Sequence, residues 1–358
     1  MKALHDQGDR RFKVFGLGVA MEEGAVKSDT VSSVNISSIK LQSRRCTFLP
    51  RLLRHLIEVV ELTIKMVFFA FRISPQVIHC HDVVTLPLGF VVKLFTRAKL
   101  VYDAHELESD KNGITPILSK ITFWVEQMLF PSVDVFITVS PSIASWYEKN
   151  FDIKATSIIL NSPYLDAGPR IGDSDRNYLR KRFSIPEKER IFIYVGIFGQ
   201  GRGIEQVLQA FANIPDIHLV LLGYGALTEY IIEEASVAKN IHYHKAIPHE
   251  EVVRVVASAD IGLCLIENIS LSDYYCLPNK LFEYAFAGIP VVASNFPDIS
   301  MLVQSHGLGI CCSPDLDSIR NAVLAVQHYD RVDPTSLREL SWEHQEDKLR
   351  QLYDKLIR

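Results

Sequence analysis

The fold is decided by the stretch "YVGIFGQGRGIEQVL", residues 194–208, where an apolar run leads through four glycines and an arginine into a helical pattern. Glycines let a backbone approach a ligand closely, and a helix N-terminus offers free N–H groups and a positive dipole end to an anion. Arg202 adds a planar fork of donors that suits phosphate. The stretch predicts a strand, a phosphate-binding turn and a helix, although a simple tight turn would use the same glycines.

Similar units extend in both directions. Apolar runs such as "QVIHCHD", "AKLVYDAHE" and "VDVFITVS" precede the stretch, and "IHLVLLGYG", "DIGLCLI" and "IPVVAS" follow it, with helical patterns between them. Strands that are apolar on both faces and alternate with helices indicate parallel sheets covered on each side. A Gly-, Pro- and Asp-rich linker, residues 161–177, divides the series. The predicted fold is α/β, with two tandem Rossmann-like domains that face a cleft, residues 1–165 and 166–340. A polar helix, residues 341–358, need not belong to the domain that precedes it.

Composition excludes several classes of protein. With 358 residues, 48% of them hydrophobic, the chain can bury a sizeable core. A net charge of -4 gives no global footprint for nucleic acid, so no nucleic-acid partner is expected. Six scattered cysteines and no signal-peptide pattern favour reduced thiols in a cytoplasmic protein. Residues 79–82, "HCHD", have no second ligand cluster at zinc-like spacing, so no metal is expected.

The most membrane-like stretch is "RLLRHLIEVVELTIKMVFFAFRI", residues 51–73. Its charged positions fall on one helical stripe: Arg51, Arg54, Glu58, Glu61, Lys65 and Arg72. That pattern predicts an amphipathic helix and not one that spans a bilayer. We favour a helix packed in the core of the protein. The alternative is that this helix rests on an anionic membrane surface.

Polar side chains follow several predicted strands. Ligands of parallel α/β sheets collect beyond the carboxyl ends of strands, and two such edges can face each other across a cleft. The first domain places His81, Asp82, Asp103, His105 and Glu106 there, and the second places the glycines of residues 196–203 and 223–225. The sequence therefore predicts one site between the two domains.

A second motif, "CLPNKLFEYAFAGIPVV", residues 276–292, strengthens that prediction. Pro278 is placed to start a helix, with Asn279 and Lys280 in its first turn and Glu283 just beyond. An anion could be held at this helix N-terminus, and the carboxylate could grip the two hydroxyls of a ribose. A solvated Lys–Glu pair on a helix surface would show the same spacing.

The two motifs, together with "LVLLGYG" and "ASADIGLCLI", resemble the donor-binding half of the GT-B glycosyltransferases, specifically glycosyltransferase family 4. In the first half, "QVIHCHDVVTLPLG", "AKLVYDAHELES" and "ITVSPSIASWYEK" resemble the acceptor-side domain of that family. The closing "SWEHQEDKLRQLYDKL" resembles the helix that crosses back to it. The resemblance covers nearly the whole chain and keeps the order of the motifs, but it does not specify a substrate.

The resemblance implies a role for each site residue. Arg202 and Lys280 would hold the diphosphate of a nucleotide-sugar donor and neutralise its charge as it departs. Glu283 would bind the ribose, and His105 would face the transferred sugar. The remaining donor-binding positions are Gly196, Gly199, Gly201, Gly203, Gly223, Gly225, Ile247 and Asn279. The acceptor-side positions are His81, Asp82 and Glu106. Family members are similar in retaining the anomeric configuration without a metal, so no cofactor is expected.

Three departures from the family pattern stand out. Tyr275 replaces a glutamate common eight positions before Glu283, with Asp273 or Glu267 as substitutes, and Ile197 replaces a basic residue of the first loop. The opening "MKALHDQGDRRFKVFGLG" resembles the family's first helix and second strand. We therefore expect the first strand and its Gly-rich loop to be absent, because of truncation or because the domain is incomplete.

The resulting hypothesis is a cytoplasmic glycosyltransferase that acts on a saccharide or lipid-linked acceptor in surface-polysaccharide assembly. Peripheral contact with the inner face of the plasma membrane remains open. One alternative is an NAD-dependent oxidoreductase, but the glycines fit neither G-x-x-x-x-G-K-[ST] nor G-x-G-x-x-G, so neither ATP nor NAD follows from them. Another alternative is a catalytically inactive nucleotide-binding subunit.

Overall fold

The computed structural model describes residues 13–19, 28–31, 34–45, 50–165, 176–212, 214 and 216–357. Within these ranges the predicted α/β class is confirmed, because helices alternate with strands that form parallel sheets in both halves. None of the described helices combines the length and the apolar character that crossing a membrane requires.

The N-terminal half contains two sheets. The first has the order β1-β3-β2 and consists of β1 (Phe15–Val19), β2 (Ser28–Val31) and β3 (Val34–Ile39). The second is parallel, in chain order, and consists of β4 (Val77–His81), β5 (Lys99–Ala104), β6 (Val135–Thr138) and β7 (Thr156–Ile158). The helices of this half are α1 (Arg51–Ile73), α2 (Asp82–Thr96), α3 (Pro116–Leu129) and α4 (Pro141–Asn150).

The two N-terminal sheets are not joined by any strand of the described ranges. β1 pairs with β3, and β4 pairs with β5, so each of β1 and β4 is an edge of its own sheet. Val14 and Val77, which lie beside these edges, pack against the same apolar cluster. The expectation that a first strand is absent concerns the start of the chain, where residues 1–12 lie outside the described ranges, so it stays a prediction.

Helix α1 forms over the predicted residues but faces the opposite way to our expectation. Its apolar stripe is exposed, with side chains at spacings of three and four: Leu53, Ile57, Val60, Ile64, Phe68 and Phe71. Glu61 points inward instead and accepts hydrogen bonds from the Ser43 N–H and hydroxyl at 2.8 and 2.6 Å. These bonds and Lys65 outweigh burial and lower the pKa of Glu61 to about 2. The preferred interpretation of a helix packed by its apolar face is therefore wrong for this stripe.

The C-terminal half contains one parallel sheet with the order β10-β9-β8-β11-β12-β13. Its strands are β8 (Arg190–Phe198), β9 (Ile217–Gly225), β10 (Ile241–Lys245), β11 (Ile261–Cys264), β12 (Val291–Ser294) and β13 (Gly309–Cys312). Its helices are α5 (Tyr178–Phe183), α6 (Ile204–Phe211), α7 (Thr228–Val237), α8 (His249–Val256), α9 (Leu271–Tyr274), α10 (Asn279–Phe286), α11 (Pro297–Ser305) and α12 (Leu316–Ala325). β11 and β12 are buried along their whole length because apolar clusters cover both faces.

The order of this sheet reverses between β8 and β11, and a tyrosine fills the gap between them. The two strands are in register at two residue pairs, which end at Gly262. Beyond that point the Tyr284 hydroxyl donates to the Leu263 carbonyl and accepts from the Val195 N–H, both at 3.0 Å. Gly262 leaves room for the ring, since a Cβ there would lie 2.4 Å from Tyr284 Cγ. The crevice at this reversal is where doubly wound sheets bind ligands.

The last helix, α13 (Trp342–Ile357), packs against the N-terminal half. Leu349 and Tyr353 join the cluster that covers one face of β5 and β6. The buried Gln345 side-chain oxygen accepts from the Leu160 N–H at 3.2 Å. The predicted domain boundary beside residue 165 adjoins residues 166–175, which lie outside the described ranges, so it stays a prediction.

We expect Tyr284→Phe to destabilise the protein by roughly 1–3 kcal/mol, because it leaves a buried N–H and a buried carbonyl without a partner. The free energy of unfolding in urea measures the effect. Tyr329→Phe, at a tyrosine that is 46% exposed, serves as the matched control. Equal stabilities of the two variants would contradict the bridging role of the Tyr284 hydroxyl.

Candidate functional site

Paired glycines lie near the carboxyl ends of β8 and β9. Gly196 and Gly223 are paired across the two strands, and a Cβ on Gly223 would lie 1.9 Å from the Gly196 carbonyl oxygen. Gly203 precedes α6 with a φ of 66°, and a Cβ there would lie 3.0 Å from the Leu265 carbonyl oxygen. Gly199 and Gly201 lie in the turn after β8, and Gly225 ends β9. The main chain is therefore accessible at the glycines of this edge, between the exposed side chains of Ile197 and Tyr224.

Lys280 places a positive charge beneath this edge. Its ammonium lies 3.6 Å from the centroid of the Tyr194 ring and beside Gly196. The nitrogen is buried and has no hydrogen-bond partner in the described part of the chain. An ammonium carries three donors, and leaving them unpaired in a buried site is costly. The cation–π contact with Tyr194 compensates in part, and the arrangement suits an anionic ligand.

Arg202 lies in the loop between β8 and α6. Its guanidinium is 3.5 Å from the Asp273 carboxylate, which also accepts from the Ser270 hydroxyl at 2.8 Å. Glu267, the other predicted substitute carboxylate, accepts from the Gly203 N–H at 3.3 Å. Both carboxylates thus lie at the predicted phosphate loop, and Asp273 pairs with Arg202.

Glu283 is buried one turn along α10 from Lys280. Burial raises the pKa of Glu283 above its usual value, and the charges of His249, 3.7 Å away, and Lys280 oppose this rise. Burial also raises the pKa of the Cys264 thiol to about 12, opposed by Lys280 and Arg202 and reinforced by Glu283. Lys280 and Glu283 thus lie on the same helix, α10, and their convergence with Arg202 stays a prediction.

The remaining donor-side positions are less enclosed. Asn279 is the exposed first residue of α10, and Pro278 lies just before the helix. Ile247 follows β10 and is half-buried against the core. Ile197, where the family commonly has a cation, is 58% exposed. Their predicted contacts with a donor stay predictions.

Four polar residues meet at the carboxyl ends of β4 and β5. Asp103 Oδ2 lies 3.0 Å from His79 Nε2, 3.3 Å from His81 Nδ1 and 3.4 Å from His105 Nε2. Burial of the Asp103 carboxyl would raise its pKa, but hydrogen bonds from the three histidines hold it well below its usual range. Burial lowers the pKa of His79, whereas Asp103 raises that of His105.

The sequence pattern predicts His81, Asp103 and His105 at the same sheet edge but does not include His79 among them. We also considered a metal only for residues 79–82, whereas the carboxylate comes from the next strand, because β4 and β5 pair His81 with Asp103. A count of opposite residues on two adjacent predicted strands could have found it. His79 Nδ1 is bonded in turn to the Tyr353 hydroxyl of α13 at 2.6 Å.

The other predicted acceptor-side residues do not all lie together. Asp82 accepts from the His105 N–H at 3.3 Å, so these two lie together, but Glu106 is exposed. Glu108, which the sequence did not single out, is buried and lies 2.8 Å from the Lys111 ammonium. Burial, reinforced by Asp82 and opposed by Lys111, raises the pKa of Glu108 to about 7.

The two halves touch directly beside these groups. The Leu107 N–H donates to the Ser272 hydroxyl at 3.2 Å, and the Ser142 N–H and hydroxyl donate to Asp298 at 2.9 and 2.8 Å. Tyr275, at the position of the family's glutamate, uses its carbonyl to accept from the Ser140 hydroxyl at 2.7 Å. Its side chain packs against the N-terminal core, so in this chain the position joins the two halves.

Solved structures share this architecture. Sucrose-phosphate synthase from Thermosynechococcus elongatus has a TM-score of 0.77 at 19% identity, over 99% of this chain and 91% of that one. Anabaena Alr3699/HepE in complex with UDP has a TM-score of 0.68 at 14% identity, over 96% of this chain and 99% of that one. The fold is that of the GT-B class.

Family models specify the class further. The model of Glycosyltransferase Family 4 matches residues 2–162, and the model of Glycosyl transferases group 1 matches residues 175–328. The chain belongs to the GT-B glycosyltransferases of the family 4 type. It is 24% identical over 257 residues to chitobiosyldiphosphodolichol beta-mannosyltransferase of Kluyveromyces lactis. The matched segment covers 63% of this chain and 57% of that protein. The chain spans about three fifths of the length of the curated relatives that it matches.

A second buried carboxyl lies behind Glu108. Glu126 accepts hydrogen bonds from the hydroxyls of Tyr102 and Tyr147 at 2.7 and 2.6 Å. Its second oxygen, Oε2, is buried without a partner among the described residues. Burial raises the pKa of Glu126 to about 7, although the two tyrosines oppose the rise. The folded protein therefore holds a proton here that the unfolded chain releases at lower pH.

This proton predicts a pH-dependent stability. Below about pH 4.5 both states are protonated, and as the pH rises to about 7 the wild type should lose roughly 3 kcal/mol relative to Glu126→Gln. The amide has no such titration, so its cost is a constant offset. Urea unfolding of both proteins between these pH values measures the difference, with Glu148→Gln at an exposed position as control. Parallel pH curves for wild type and Glu126→Gln would refute the assignment.

Proposed function

We propose that this protein transfers a sugar from a nucleoside diphosphate sugar to a saccharide or lipid-linked acceptor, with retention of the anomeric configuration, in surface-polysaccharide assembly. The observation that carries the proposal is the buried, unpartnered ammonium of Lys280 beside the bare backbone of Gly196. A diphosphate supplies the anionic oxygens that this ammonium lacks.

The donor side would stabilise the negative charge that develops on the departing diphosphate. Lys280 is fixed in place by the Tyr194 ring, so it need not reorganise as the sugar–phosphate bond breaks. Arg202 would exchange the Asp273 carboxylate for phosphate and thereby close the loop over the donor. Glu283 would accept hydrogen bonds from the ribose hydroxyls, and these bonds need no metal.

The acceptor would approach from the N-terminal half. His81 and His105 are the exposed members of the histidine cluster, and His105 is the proposed contact for the transferred sugar. Asp82 bonds the main chain of His105 and positions it. The UDP complex of the Anabaena structure supports UDP and UDP-sugars as the first ligands to test.

Lys280→Met should weaken UDP binding roughly 10- to 100-fold, since a hydrogen bond to a charged group contributes about 1.5–3 kcal/mol. The same change should not lower the melting temperature of the free protein, because it removes an unpaired buried charge. Calorimetric titration with UDP and a thermal melt measure the two effects. Lys239→Met, at an exposed lysine, is the matched control. Unchanged UDP affinity in Lys280→Met would contradict the assignment of the donor site.

A ligand panel separates this function from its rivals. Stabilisation by UDP, GDP or dTDP supports the proposal, whereas stabilisation by NADH alone supports an oxidoreductase. Nucleotide binding without donor hydrolysis or transfer to any acceptor supports an inactive binding subunit.

We also propose that the apolar stripe of α1 rests on an anionic membrane from the cytoplasmic side. The stripe continues onto α2, where the rings of Phe71 and Phe95 lie 6.0 Å apart. Arg72 lies over the Phe68 ring, with its guanidinium 5.6 Å from the centroid. A cation beside exposed aromatic rings matches the border between acidic headgroups and acyl chains.

The double variant Ile64→Glu/Phe68→Glu should reduce binding to vesicles of phosphatidylglycerol and phosphatidylcholine about tenfold or more, because two apolar side chains lose their burial. Co-sedimentation at low salt measures the bound fraction. Val237→Glu, which alters an equally exposed apolar residue of the other half, should bind as the wild type does. Wild-type protein that stays entirely in the supernatant would exclude membrane contact.

A further inference from the structure

We propose that His79, His81 and Asp103 form a binding site for a divalent transition metal of the zinc class. The ligand atoms are His79 Nε2, His81 Nδ1 and Asp103 Oδ2. This site lies on the acceptor side, so it does not alter the expectation that the diphosphate is bound without a metal.

The spacing of the three atoms fits part of a tetrahedral coordination shell. Zinc bonds of about 2.0–2.2 Å to nitrogen and oxygen give a tetrahedron whose edges are about 3.4 Å. The carboxylate oxygen lies 3.0 and 3.3 Å from the nitrogens of His79 and His81. The ligand atoms of His79, His81 and Asp103 all lie within 4.8 Å of one another. One ion can contact these three atoms, and the fourth tetrahedral position is left for a further ligand.

Hydrogen bonding accounts less well for the same contacts. A carboxylate oxygen has two lone pairs, yet three imidazole nitrogens approach the same Oδ2 of Asp103. If His81 and His105 both donate to Asp103, their N–H groups also face each other at 3.4 Å. A cation held by His79, His81 and Asp103 removes both conflicts, because His105 is then the one imidazole that donates to Asp103.

The surroundings also suit a metal. The second ring nitrogen of His79 is 2.6 Å from the Tyr353 hydroxyl, the kind of outer partner that orients a metal-bound histidine. The side chains of His81 and His105 are 50% and 45% exposed, which gives an ion a path of entry. Imidazole and carboxylate ligands together favour zinc and its neighbours over magnesium or calcium.

Metal titration of the protein, purified without a polyhistidine tag and stripped with a chelator, tests the site. We expect one Co²⁺ per chain with the intense visible band of tetrahedral cobalt, and displacement of Co²⁺ by Zn²⁺. Asp103→Asn, which keeps the side-chain shape, and His79→Ala should abolish the band. Tyr353→Phe should weaken Zn²⁺ affinity about 10- to 100-fold by loss of the outer partner.

The control is His242→Ala, because His242 belongs to another histidine pair, 2.8 Å from His218. It should bind Co²⁺ as the wild type does. Circular dichroism checks that each variant is folded. If His79→Ala does not fold, Asp103→Asn alone tests the site. Absence of a tetrahedral band in the wild type would overturn the proposal, as would a band that survives in Asp103→Asn. UDP affinity, measured separately, reports on the donor site and is independent of this outcome.

Discussion

The donor side depends on one steric constraint, the contact of main chain with main chain where β8 and β9 end. Gly223 has no room for even a methyl group beside the Gly196 carbonyl. Because neither glycine carries a side chain, the two main chains can approach here, and the Lys280 ammonium lies beside Gly196. The strand order reverses at the neighbouring strand, so this edge coincides with the natural crevice of the sheet.

The two halves manage charge differently. Among the described residues of the C-terminal half, the Lys280 ammonium is buried without a hydrogen-bond partner, and Arg202 is paired with the Asp273 carboxylate. The N-terminal half concentrates three histidines on the single carboxylate of Asp103. The first arrangement favours an anion and the second favours a cation, so the two sides of the site attract complementary partners.

Local patterns predicted more of this protein than long-range ones. Lys280 and Glu283 were identifiable because both lie within one helical turn after a proline. The alternation of strands and helices indicated two α/β halves for the same reason. Strand pairing is not local, and the contact of His79 and His81 with Asp103 follows from the register of β4 and β5. The periodicity of α1 located its apolar stripe correctly but could not show which side faces the protein.

The hydrogen bond from Tyr353 to His79 joins residues 274 positions apart. Because Tyr353 is synthesised long after His79, this hydrogen bond forms only once α13 has docked on the N-terminal half. A truncation that removes α13 would therefore alter the environment of His79 in the other half of the protein.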